Sequence, residues 1–154
     1  MITAHKSYKY AQSVLNREIP APKYVIKQCE EFINICDGNS EKYFIDEEKL
    51  RKIDNILKLL IMPRGLKTGE SIYECSCGYQ WLIYAALCVV YRKNPDKRRY
   101  ETIVLEVGRK NFKTFTVATI FVLFFYWSRN SVNFIALLQT ERFQEKSRRQ
   151  SRRF

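Results

Sequence analysis

A chain of 154 residues has room for one domain, or for one piece of a larger one. Hydrophobic residues at 46% and aromatics at 14% allow a sizeable core and argue against wholesale disorder. The formal charge of +11 points to polyanion partners such as nucleic acid or nucleotide phosphate, yet nearly half of that excess comes from the last stretch, where seven basic residues from Arg129 to Arg153 stand against Glu141 and Glu145. Five cysteines (Cys29, Cys36, Cys75, Cys77 and Cys88), an odd number behind a start with no apolar signal region, predict reduced thiols and a cytoplasmic setting. Cys75-Ser76-Cys77 is tighter than zinc-knuckle spacing and His5 is the only histidine, so no metal site is expected from these ligands.

In chain order, Tyr8–Asn16 carries a weak helical pattern that Ile19-Pro20-Ala21-Pro22 breaks. Lys23–Cys36 resumes it, with Tyr24, Val25, Cys29, Phe32, Ile33 and Cys36 as an apolar stripe. Gly38 then sits where a left-handed C-cap belongs. Glu41–Ile45 reads as a short extended link, and Asp46 as an N-cap followed by Glu47 and Glu48 at the positive end of a helix. That helix shows Leu50, Ile53, Ile56, Leu57, Leu60 and Ile61 on one face and ends at Met62-Pro63; its role is core packing. Arg64–Thr68 reads as a turn, Glu70–Cys77 as extended, and Tyr79–Tyr91 as a buried helix, apolar nearly all round. Arg92–Arg99 reads as a basic turn around Asn94-Pro95-Asp96, either a solvated loop or a nucleic-acid contact. Tyr100–Glu106 alternates as a strand does.

The strand leads into Gly108-Arg109-Lys110-Asn111-Phe112-Lys113-Thr114, and an apolar segment follows at once. Strand, short loop with a Lys-Thr pair, then helix is the layout of a P-loop. There backbone N–H groups and the first helical turn hold phosphate, the lysine reaches the outer phosphates and the threonine hydroxyl ligates magnesium. The pattern GxxxxGK(S/T) asks for glycine at Val107 and Phe112, and neither is glycine, so an ordinary strand–turn–helix stays open beside the nucleotide site. The apolar run up to Trp127 is shorter than the roughly 18 residues that a membrane span needs, which favours a buried helix packed on a sheet over a membrane-associated segment.

The segments KYVIKQCEEF, YFIDEEKLRKIDNILKLL, IYECSCGYQWLIY and RRYETIVLEVGRKNFKTFTVATIFVLFF, in that order, resemble the N-terminal region of the phage terminase large subunit, the ATPase that drives DNA into procapsids. The resemblance covers about Ser7–Phe125. It implies that Gln80 hydrogen-bonds the adenine, since an amide's paired donor and acceptor suit that base edge. It places Gly108, Arg109, Lys110, Asn111, Lys113 and Thr114 in the nucleotide-binding loop, with Thr114 on magnesium through the nucleotide. Arg109, Lys113 and Thr114 match the arginine, lysine and hydroxyl positions of the family's (P/A/G)-R-x-x-G-K-(S/T) loop. Phe112 stands where that loop has glycine, which crowds the loop and calls for an unfavourable backbone conformation. The implied cofactors are ATP and magnesium; the implied partners of a full-length parent are DNA, the terminase small subunit and the portal, in the cytoplasm of a bacterial host.

The fold expected on this resemblance is α/β, a partial P-loop NTPase. It has a helix-rich N-terminal lead-in (residues 1–68), the start of the ATPase domain (69–125) with strand, P-loop, helix and an incomplete sheet, and a basic tail (126–154). The acidic pair that binds magnesium and activates water, the further parallel strands and the nuclease domain of the family find no match, so a truncated, inactive remnant is expected. The tail fits that expectation. Read from the third base of the Tyr126 codon, synonymous codons for the following stretch permit LEPEFSKFYSVAPDGAFSREV, a string like a terminase continuation, so a frameshift after Phe125 would account for residues 126–154. The rival expectations are a small basic nucleic-acid-binding protein using Arg92–Arg99 and the tail, and a membrane-associated protein anchored by Thr116–Trp127.

Overall fold

The computed structural model describes residues 2–63, 67–108 and 111–127, with side chains through Phe125. A 3-10 turn at Ile2–Ala4 leads into α1 (Lys6–Leu15) and α2 (Lys23–Cys36), then β1 (Tyr43–Ile45) and α3 (Glu47–Leu59). The short α4 (Ile72–Cys75), α5 (Gly78–Ala86), β2 (Val89–Tyr91), β3 (Asn94–Arg98) and α6 (Lys113–Trp127) follow. The architecture is mixed α/β, with the strands in one antiparallel sheet of order β1-β2-β3.

The helices start and stop where local chemistry directs. α2 ends in a Schellman motif: Gly38 takes a φ of 79°, its N–H donates to Ile35 O, and Asn39 N–H donates to Asn34 O. Asp46 Oδ1 accepts the Lys49 N–H at 3.0 Å and caps α3, whose first turn holds Glu47 and Glu48. Ser71 Oγ accepts the Glu74 N–H and caps α4. α1 packs on α2 and α5, α3 on α4 and α5, and α2 on β1. Between them lie Val14, Cys29, Phe32, Ile53, Leu57, Trp81, Tyr84, Val89, Val90 and Leu123, all buried. Each such aliphatic or aromatic side chain contributes on the order of 1.5–3 kcal/mol by leaving water.

Four expectations are corrected here. The helix expected over Tyr79–Tyr91 ends at Ala86, and Val89–Tyr91 forms the middle strand, with Phe44 opposite Val90 and Arg98 opposite Val90 on the other side. Paired β-branched valines fit a strand buried between two neighbours, and an apolar run this short does not distinguish the two by periodicity. The basic turn expected at Arg92–Arg99 contains β3, an edge strand, where Pro95 breaks no central ladder. The strand expected at Tyr100–Glu106 does not form: Thr102–Gly108 pairs with no strand among the described residues, and Val104 is 86% exposed. An extended segment becomes a strand only where a neighbour offers its N–H and C=O row, and none lies beside this one among the described residues. The stretch expected to be extended at Glu70–Cys77 holds one isolated bridge, Ser71 to Ile61, and then α4.

Chain contacts separate a compact unit, Met1–Phe124, from a second, Phe125–Phe154. The first unit carries helices from both expected segments, 1–68 and 69–125. Of the second, only the end of α6 is described; the frameshifted tail expected from residue 126 lies, beyond Trp127, outside the described residues.

Candidate functional site

Of the residues singled out in the sequence, Gln80 in the first turn of α5 and Asn111 just before α6 take part in hydrogen bonds that join these two segments. Cys77 is the N-cap of α5, and its N–H donates to Gln80 Oε1 at 2.7 Å, which satisfies one of the donors a helix start leaves unpaired. Gln80 is only 2% exposed. Its Nε2 donates to Thr116 Oγ1 at 2.6 Å, a side-chain bridge from α5 to the second turn position of α6. Thr116 Oγ1 donates onward to Phe112 O at 3.0 Å, and Thr116 N–H donates to the same carbonyl at 2.8 Å. Beside this bridge Tyr79 Oη donates to Asn111 O at 2.7 Å. One turn further along α5, burial pushes the Tyr84 phenol up to about 12.

Phe112 occupies the position before the lysine with a φ of 54°, the left-handed region that glycine takes without penalty. Its ring is 53% exposed and meets Phe115 edge-on, with centroids 6.4 Å apart. Lys113 and Thr114 are exposed in the first turn of α6, and Gly108 and Asn111 lie on the loop before it. Arg109 and Lys110, also expected in the loop, lie outside the described residues. Among the described residues no cluster of three or more His, Cys, Asp or Glu side chains is placed to hold a metal ion. Tyr79 and Thr116 were not singled out by sequence reasoning; they flank the chosen Gln80 and Thr114, and only their partners across the α5–α6 contact mark them.

A second constellation was invisible in the sequence. His5 Nδ1 lies 2.7 Å from Ser7 Oγ and His5 Nε2 lies 3.1 Å from Asp54 Oδ1, the residue types of a hydrolytic triad. Ser7 is fully buried, however, and its own N–H donates to His5 Nδ1, so the group caps α1 and ties it to α3 without facing a substrate. Trp81 stacks edge-on against the same imidazole.

The basic stretch is largely engaged within the fold. Arg99 pairs with Glu31 and stacks over Tyr43 and Tyr100. Arg98 lies over Phe124, Lys97 pairs with Glu101, and Arg92 donates to Ser40 O and covers Phe44. Glu31, Asn34, Lys42 and Arg99 are among the residues lining an open cleft of about 470 Å³ between α2 and β1. Among the described residues no helix is long and apolar enough to cross a membrane. No protein-family model, no curated protein and no solved structure matches this chain.

Proposed function

We propose that this chain carries the nucleotide-binding element of a DNA-packaging ATPase of the terminase large-subunit type, with the phosphates of ATP and its magnesium ion held by the loop Gly108–Thr114 at the start of α6. The observation that supports it is the bonding of the turn that carries Gln80 to the loop: Tyr79 and Gln80 bond directly to Asn111 and Thr116, on either side of Phe112-Lys113-Thr114. Lys113 supplies the positive charge for the outer phosphates, and Thr114 the hydroxyl for magnesium. Binding without turnover is the activity assigned to these residues, since phosphoryl transfer also needs carboxylates that position magnesium and water. DNA, the small subunit and the portal are the partners this reading assigns to a complete ATPase of that type.

Calorimetric titration of the full chain with Mg-ATP tests the reading, beside a Lys113→Ala variant. Loss of one charge-assisted contact of ordinary strength, about 1.5–3 kcal/mol, weakens binding about tenfold or more. Wild-type chain that takes up no Mg-ATP at millimolar concentration, or a Lys113→Ala variant that binds equally well, would refute it.

A further inference from the structure

We infer that Tyr79 and Gln80 are positioning residues for the loop that precedes α6, and that Gln80 serves the loop instead of reading the base. The inference rests on the nucleotide-site reading above and sharpens the role of its glutamine. A base edge is recognised by an amide with a donor and an acceptor both at its disposal. Gln80 Oε1 accepts the Cys77 N–H at 2.7 Å and its Nε2 donates to Thr116 Oγ1 at 2.6 Å, and with the side chain only 2% exposed the second lone pair and second amide hydrogen are not offered to solvent. An incoming adenine would have to draw this buried amide out of the α5–α6 contact, at the expense of the bonds that already hold it.

What the bridge does is visible at its far end. Thr116 Oγ1 carries the contact to Phe112 O, and Tyr79 Oη takes the neighbouring Asn111 O. Two successive carbonyls are thus held on the inner side of the loop. In a trans peptide the N–H points opposite to the C=O of the same unit, so the N–H groups of Phe112 and Lys113 are turned outward. Outward N–H groups at the start of a helix are the arrangement that cradles an anion. The same ties hold Phe112 in its left-handed conformation, which a phenylalanine does not keep unaided.

The test uses the full chain and three probes: Mg-ATP, Mg-GTP and magnesium with inorganic tripolyphosphate. Gln80→Glu keeps the shape but turns the donor facing Thr116 into an acceptor, which draws the Thr116 hydroxyl away from Phe112 O. Thr116→Val removes that hydroxyl at nearly constant volume, and Thr116→Ser restores it. The expected result is a loss of about tenfold for all three probes in Gln80→Glu and Thr116→Val, no additional loss in the double variant, and recovery in Thr116→Ser. A loss confined to ATP would overturn the inference, because it would mean that Gln80 reads adenine. Amide hydrogen exchange supplies an arm independent of any ligand. Exchange over residues 111–116 should quicken in Gln80→Glu, Thr116→Val and Tyr79→Phe while α2 stays protected, and unchanged exchange there would equally overturn it. If the wild type binds none of the probes, the nucleotide-site reading fails, and the exchange arm alone decides whether Tyr79 and Gln80 position the loop.

Discussion

Replacing Phe112 by alanine and, separately, by glycine isolates the backbone cost of the loop. With a φ of 54°, Phe112 carries a penalty of about 1–2 kcal/mol that any residue with a Cβ shares and glycine escapes. Both replacements lose the half-exposed ring and its edge contact with Phe115, worth about 1 kcal/mol at half burial. At an ordinary position glycine is less stable than alanine by roughly 0.5–1 kcal/mol, because the unfolded chain gains freedom. At Phe112 the order should invert, with Phe112→Gly close to wild type and Phe112→Ala about 1 kcal/mol below it. Urea unfolding read through the fluorescence of buried Trp81 resolves this: with a slope of about 1–3 kcal/mol per molar, the two midpoints should differ by roughly 0.3–1 M. If alanine proves as stable as glycine or more so, the left-handed conformation is not what holds the loop. Phe112→Gly also restores the glycine of the phosphate-loop pattern, so tripolyphosphate affinity should rise above wild type in the same variant.

Gly78→Ala should destabilise the fold despite alanine's better helix propensity, because a Cβ at that position would lie 2.1 Å from Tyr10 Cδ2; a cost of about 1–3 kcal/mol by thermal or urea unfolding is expected. His5→Ala should cost about 1–2 kcal/mol through the lost α1 cap and the Asp54 contact, and ester hydrolysis, if any is measured, should not depend on Ser7. Exposed Cys77 should be alkylated first at pH 8, ahead of the thiols of Cys29 and Cys36, which burial pushes up to about 11 and about 12. Since the native state keeps Cys29 protonated after the unfolded chain has begun to ionise near 9, its share of stability is complete below that pH and lost as pH rises towards 11. Mass spectrometry of labelled peptides and unfolding at graded alkaline pH check both statements.

Where apolar spacing and a cap agreed, local sequence was sufficient. Gly38 behind α2, and Asp46 with the Leu50, Ile53, Leu57 face of α3, form as the sequence directs, because caps and helical periodicity act within a few residues. Tyr24 of the expected α2 stripe, by contrast, is exposed, and α3 ends at Leu59, leaving Ile61 of its expected stripe exposed beyond it. The helix start at Lys113 and the unfavourable backbone at Phe112 were legible too, from a lysine–threonine pair preceded by a side chain where the pattern has glycine.

The rest was decided between distant segments. Val89–Tyr91 is apolar enough for helix or strand, and it became a strand because β1 and β3 stand on either side to complete its ladder. Tyr100–Glu106 has the alternation of a strand and no neighbour among the described residues to pair with, so alternation alone did not make one. The charge of Arg92–Arg99 reads as a surface for polyanions until Glu31, Glu101, Phe44, Tyr43 and Phe124 are seen to occupy most of it. Gln80 was marked only by the resemblance, and its partner on α6 lies 36 residues along the chain. Spacing in sequence constrains what one helix can do for itself; which hydrogen bonds remain for a ligand is set only when α5 and α6 meet.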